Sequence, residues 1–282
     1  MSYQTIDVQP VSGALAAEVS GVDLAQPLDN QTFSELFQAW NEHLVLFFRD
    51  QQLTPEQHLA FGRRFGALNQ HPYIAGMRDY PDIIEIIKEP REQRNWGGQW
   101  HADLTCLEKP PMGSILYAHE VPAWGGDTLF ANMYLAYESL SGGMRSLLDS
   151  LVAVHESGEP RLYSDGYLSM HGRQNDGACG TEHPVVRSHP ETGRKALYVN
   201  RDYTRRFKDM TAEESAPLIK FLFEHAARPE FTCRFRWRQH SVAFWDNRCV
   251  HHHALSDYHP GAVPTGRRRH MHRVTIEGER PH

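Results

Sequence analysis

Phe231–Asn247 reads FTCRFRWRQHSVAFWDN, and its first half alternates as a β-strand does. Side chains in a strand point to opposite faces in turn. Phe231, Cys233, Phe235 and Trp237 therefore share one face, and Arg234, Arg236 and Arg238 the other. The second half, SVAFWDN, is a further apolar strand. Outward from this pair, LVLFFR, DIIEIIK, GSILYAHEV, HPVVRSH, KALYVN and RHMHRVTIEG read as strands, with HPETG a hairpin turn punctuated by Pro190 and Gly193.

Helices are few. Thr54, Pro55 and Gln57 open one of them, and Thr211 with Glu214 forms the capping box of another. Asp29 or Asn30 caps a helix running to about residue 42, and a further helical region covers about 134–151, interrupted by Gly142-Gly143. Many strands with few peripheral helices predict a mainly β fold, a sandwich or barrel rather than a βαβ array. No internal repeat is visible, and 1–282 reads as a single domain. The glycine-rich, aperiodic stretch 157–180 reads as a lid-like loop.

Composition excludes several function classes. Hydrophobic residues at 40% and charged residues at 23% describe a soluble globular chain, and a net charge of −6 gives no reason to expect nucleic acid. The N-terminal segment lacks a basic stretch followed by an apolar run, and no apolar run approaches the ~20 residues a bilayer requires. Cys106, Cys179, Cys233 and Cys249 are widely spaced, which fits reduced thiols in a cytoplasmic protein better than a disulfide framework. Eighteen histidines, clustered in the last third, are the one compositional excess.

Chemistry enters at GGQWHADLTC, Gly97–Cys106. On a strand or its end, His101 and Asp103 point the same way about 6.5 Å apart and can close on one ion. The pair alone is a weak signal that occurs by chance in many proteins, and a third ligand must come from elsewhere. Two histidines and a carboxylate on one face of an octahedron typify non-haem Fe(II) oxygenases. Near the C-terminus, His251, His252 and His253 follow the apolar strand, and RRRHMHRV follows them. In a strand Arg269 and Arg273 share a face at about 13 Å. Two inward guanidiniums require anions, and Arg suits bidentate carboxylate binding.

WHADLT, PPMGSILYAHEVPAWGGDTLF, HPVVRSHPETGRKALYVN, WDNRCVHHHA and MHRVTIEGERP, in this order and spacing, resemble the taurine dioxygenase family of Fe(II)- and 2-oxoglutarate-dependent oxygenases over nearly the whole chain. The resemblance implies a double-stranded β-helix (jelly-roll) core. It implies His101, Asp103 and His252 as iron ligands, with His251 and His253 pointing away. Thr128 and Arg269 would meet the distal carboxylate of 2-oxoglutarate. Arg273 would lie nearer the iron, holding the substrate's acidic group and steadying the cosubstrate. Trp245, Asp246, Asn247 and Arg248 would be structural. Fe(II), 2-oxoglutarate and O2 are the implied cofactors, and the implied reaction is hydroxylation coupled to decarboxylation of 2-oxoglutarate to succinate and CO2.

His71 matches the position that holds the sulfonate in taurine enzymes, and the Leu104 N–H would complete that anion pocket with Arg273. Four residues before the first ligand, taurine enzymes carry an asparagine where this chain has Gly97. That loss predicts a bulkier or less polar tail, hence a small organic acid other than taurine, with taurine or a related alkylsulfonate or alkylsulfate as the alternative. Asparagine at position 97 is then expected to improve taurine turnover. The remaining expectations are a small anionic substrate, a homo-oligomer (dimer or tetramer), and neither nucleic-acid nor membrane partners. A non-catalytic metal-binding cupin barrel would leave Thr128, Arg269 and Arg273 without purpose. A nucleic-acid binder using the basic C-terminal strand conflicts with the net charge.

Overall fold

Strands apolar on successive residues must be covered on both faces, and that requirement arranges the molecule in layers. The structure is a computed structural model that describes residues 3–89, 97–157, 179–257 and 268–282. Its elements are β1 (Asp7–Pro10), β2 (Ala17–Ser20), α1 (Asn30–His43), β3 (Val45–Phe48), α2 (Pro55–Arg63), β4 (Ile83–Lys88), β5 (Gly113–Glu120) and β6 (Thr128–Asn132). There follow α3 (Met133–Glu138), α4 (Gly142–Leu148), β7 (Val152–Glu156), β8 (Gly180–Pro184), β9 (Val186–Ser188), β10 (Lys195–Leu197), β11 (Thr204–Phe207) and α5 (Ala212–Ala226). Four strands close the chain: β12 (Thr232–Phe235), β13 (Val242–Asp246), β14 (Val250–Ala254) and β15 (Arg269–Ile276).

The major sheet runs β1-β2-β3-β13-β5-β15-β4. All its pairings are antiparallel except β2 with β3. Facing it are the smaller sheets β12-β6-β14 and β11-β7-β8, with the β9–β10 hairpin turning at HPETG. Phe47, Leu116, Ala243, Trp245 and Met271 project from the major sheet into one core with Phe130, Phe235 and Val250 of the opposing layer. Their neighbours Leu46, Phe48, Ile115 and Phe244 project the other way, onto Trp40 of α1 and Phe61 of α2. Phe47 stacks on Phe235 at 3.8 Å between the layers, and Trp40 on Phe244 at 4.3 Å beneath them. This is the expected double-stranded β-helix.

Both capping boxes form as read, at Thr54/Gln57 and Thr211/Glu214, and Asp29 caps α1. The β12 alternation also holds, with Phe231, Cys233, Phe235 and Trp237 buried and the three arginines exposed. Other expectations change. The region 134–151 is two helices, and Gly142-Gly143 opens the second rather than interrupting one. Ser141 caps α4 by accepting from Met144 N, and a first turn tolerates glycine. Strands β1, β2, β6, β7, β11 and β14 fall outside the stretches read as strands. They are four or five residues long and mixed in polarity, too short for a period-2 pattern to stand out. The thiol expectation is half corrected. Cys233 and Cys249 are free and buried, but Cys106 and Cys179 are bonded, their Cα atoms 5.4 Å apart across 73 residues. Linear spacing carries no information about such proximity. Of the lid-like stretch 157–180, residues 158–178 lie outside the described residues. Among the described residues no helix is long and apolar enough to cross a membrane.

Candidate metal centre

His101 and His252 are brought side by side by the backbone. His101 N donates to His252 O at 3.1 Å and His252 N to His101 O at 2.8 Å, a single antiparallel bridge. Residues paired in this way present their side chains on the same face, and the two imidazole rings lie 4.1 Å apart. Alternation along β14 turns His251 and His253 the other way. His251 is buried, with burial pushing its pKa down to about 3, and His253 lies against Trp100 at 5.5 Å.

The strand expected at His101–Asp103 lasts for that one bridge. The chain then turns, with Leu104 at φ 49, and the turn swings Asp103 beneath both rings. Asp103 Oδ1 is 3.8 Å from His101 Nε2 and 3.8 Å from His252 Nε2. One donor atom from each residue falls within 4.8 Å of the others, and all three residues are buried. His101 Nδ1 meets the carbonyl of Gln99 at 2.7 Å. A carbonyl only accepts, so Nδ1 donates, and this bond fixes the ring with Nε2 toward Asp103. Burial drives the His252 pKa well below its ordinary value, which favours the neutral form of that ring. Burial opposes ionisation of Asp103, but Arg273 and the neighbouring histidines outweigh it and hold the carboxyl far below its usual range.

Asp103 is fixed from all sides. Ser114 Oγ donates to Oδ2 at 2.7 Å, Asn247 Nδ2 to Oδ2 at 3.4 Å, and Arg273 Nη1 to Oδ1 at 3.0 Å. Asn247 Oδ1 accepts from Asp103 N at 3.3 Å and from Trp245 Nε1 at 3.0 Å. Asn247, expected to be purely structural, thus touches the carboxylate of the site. Asp246 and Arg248 do form the expected structural network, joined by His189 and Glu191. Neither Ser114 nor Asn247 carries a sequence signal, since each is one polar residue at the end of an apolar strand.

A second group lies along the same surface. Thr128, Phe130, His252 and Ala254 share a face across β6 and β14, because Phe130 pairs with His252 and Thr128 with Ala254. Trp237 Nε1 donates to Thr128 Oγ1 at 2.9 Å, and the Arg269 guanidinium lies 5.9 Å from the Trp237 ring. Thr128 and Arg269, 141 positions apart in sequence, are therefore brought together, with Trp237 as an unforeseen spacer. Arg269 and Arg273 both face inward and are buried, as the strand reading requires.

His71 is 4% exposed, which excludes an ordinary surface histidine. Its Nδ1 accepts from Tyr73 N and Ile74 N, both at 3.2 Å, so the ring proton sits on Nε2. Burial first, then Arg273, drives its pKa down to about 3. Gly97 has φ +74, and its carbonyl accepts from Ala254 N at 3.0 Å. A Cβ built there would stand 3.1 Å from His101 Cε1. A side chain at this position presses on the His101 ring, so the geometry turns against the expected benefit of asparagine there.

A buried set of two imidazoles and one carboxylate, with one imidazole fixed by its second nitrogen, suits Fe(II). The family model described as taurine catabolism dioxygenase TauD, TfdA family matches residues 7–275. The chain belongs to this family. It is 36% identical to an alpha-ketoglutarate-dependent sulfate ester dioxygenase of Pseudomonas putida, over 98% of this chain and 91% of the relative. It is 33% identical to an alkylsulfatase of Acinetobacter baylyi, over 98% and 86%. A crystal structure of a taurine dioxygenase from Burkholderia xenovorans superposes with a TM-score of 0.84 at 38% identity, covering 99% of this chain and 91% of that one. As a TauD/TfdA family member the protein is a 2-oxoglutarate-dependent dioxygenase, with Fe(II), 2-oxoglutarate and O2 as its cofactors.

Proposed function

We propose that His101, Asp103 and His252 hold Fe(II), that Thr128 and Arg269 bind the distal carboxylate of 2-oxoglutarate, and that Arg273, His71 and the Leu104 N–H receive the anionic end of an organic substrate. The observation that carries this reading is the buried convergence of three ligand atoms within 4.8 Å. Bound iron and 2-oxoglutarate supply the oxidising power for C–H hydroxylation, with succinate and CO2 as coproducts. The residues of the chain do the rest. Arg273 provides the charge at the anion pocket, and His71, neutral with its proton on Nε2, provides a directed donor. Gly97 leaves the flank of His101 uncovered, which favours a substrate with a bulkier chain than taurine's.

Within small organic acids, we favour a sulfate monoester of an aliphatic alcohol, on the strength of the two relatives named for sulfate esters and alkyl sulfates. Hydroxylation of the carbon bearing the ester oxygen gives R–CH(OH)–OSO3−, which expels sulfate and leaves the aldehyde. The sum is RCH2OSO3− + 2-oxoglutarate + O2 → RCHO + HSO4− + succinate + CO2. The same reading takes 1–282 as one catalytic domain, acting in the cytoplasm as a homo-oligomer.

Purified protein with Fe(II) and 2-oxoglutarate is tested against alkyl sulfates, alkylsulfonates, taurine and phenoxy acids, with succinate and sulfate measured together. Equimolar succinate and sulfate from an alkyl sulfate is the expected result. Faster turnover of taurine removes the substrate assignment. Undiminished turnover in His101→Ala or Asp103→Ala removes the metal assignment.

A further inference from the structure

The face of β15 opposite Arg269 and Arg273 carries a second convergence of ligand side chains. His270 and His272 alternate with Arg269, Met271 and Arg273, so they leave the major sheet on its other side. Glu85 of β4 pairs directly with His272, which puts its carboxylate on that same outer face. His119 of β5 joins them, its ring 3.8 Å from that of His272 and 5.2 Å from that of His270.

Both β15 histidines aim Nε2 at one oxygen. His270 Nε2 is 3.0 Å and His272 Nε2 is 3.7 Å from Glu85 Oε1, and the three ligand atoms lie within 4.8 Å of one another. Zinc holds imidazole nitrogens and carboxylate oxygens at about 2.0–2.2 Å, so tetrahedral ligand atoms sit about 3.4 Å apart. The two separations bracket that value. His272 supplies an independent sign. It is 5% exposed, and its Nε2 is buried without a hydrogen-bond partner. Its other nitrogen, Nδ1, lies 2.8 Å from His119 Nε2. If Nδ1 donates to His119, the lone pair of Nε2 is left facing Glu85. That is how a metal-bound histidine is oriented by a second partner.

We propose that Glu85, His270 and His272 form a second metal site, for a divalent transition ion of the zinc class, with His119 as the positioning residue that orients His272. Solvent gives the ion a path, since the Glu85 and His270 side chains are 26% and 19% exposed. Ligation by two imidazoles and one carboxylate leaves a further position for water or a fourth donor. The other buried cluster, His189, Asp246 and Cys249, is different in kind. There Arg248 already donates two bonds to Asp246 through Nε and Nη2, so a cation occupies the place an ion would take.

The test counts zinc and does not depend on turnover. Metal-free protein is dialysed against micromolar zinc and analysed for bound metal, with folding followed by circular dichroism. Wild type is expected to hold two zinc ions per chain, His101→Ala/His252→Ala one, and that variant with His270→Ala or Glu85→Gln added none. Glu85→Gln preserves shape and decides the question if His270→Ala fails to fold. Absence of zinc in the triad variant overturns the proposal, as does retention of the ion after Glu85→Gln.

Discussion

Arg273 Nη1 donates to Asp103 Oδ1 at 3.0 Å, and both side chains are more than nine-tenths buried. The charge of the same guanidinium also helps to lower the His71 pKa, so one cation serves both Asp103 and the proposed anion pocket.

Removing one partner of a buried ion pair leaves an uncompensated charge, at a cost of about 3–5 kcal/mol. Arg273→Met is expected to destabilise metal-free protein by that amount in urea, with the deficit shrinking when Fe(II) is added and neutralises Asp103. An equal deficit with and without iron argues against this pairing of charges.

Asn247 and Ser114 hold Asp103 Oδ2 in place. Loss of such support typically weakens a metal 10–100-fold. Asn247→Ala is expected to weaken Fe(II) binding in that range, with turnover recovering as iron is raised. Unchanged iron affinity would refute the positioning role.

Gly97 adopts φ +74 with His101 Cε1 3.1 Å from where a Cβ would stand. Gly97→Ala is expected to lower Fe(II) affinity and turnover together, and Gly97→Asn to do so without improving taurine turnover. A gain with taurine restores the expectation drawn from sequence.

Cys106 and Cys179 close a loop of 73 residues. Cross-links of this kind contribute about 2–4 kcal/mol, chiefly by constraining the unfolded chain. Thermal melts with and without reductant are expected to differ in that direction, and Cys179→Ser should remove the difference. Coincident melts would show the link contributes nothing.

Burial pushes His58 down to about 3 and His183 to about 4, from 6.5 in the unfolded chain. The unfolded state therefore binds more protons between these values, and folded-state stability rises with pH across the interval. The stability these groups contribute is complete above about 6.5 and is lost as pH falls toward 4 and 3. Urea midpoints at pH 7.5, 6 and 5 should decline in that order; a flat series excludes the effect.

Strand identity was legible where burial imposes a pattern. The alternation of β12, the apolar run of β13 and the helix caps at Asp29, Thr54 and Thr211 are local consequences of side-chain direction and backbone hydrogen bonding. The short strands β6 and β14 were not, because each takes its form from a partner. β14 is largely histidine and becomes a strand by pairing with β6 and bridging to His101.

The chemistry could be read along the chain: a His-x-Asp pair, a distant histidine triplet and two arginines on one strand face name the ligand types, and the longer stretches around them carry the family resemblance. The tertiary structure alone decided which atoms meet. It placed Asp103 against Arg273, Ser114 and Asn247, inserted Trp237 between Thr128 and Arg269, bonded Cys106 to Cys179, and gathered Glu85, His119, His270 and His272 on the outer face. Residue type and local periodicity are properties of neighbours along the chain, whereas these contacts depend on how strand order, register and loop closure bring separate segments together.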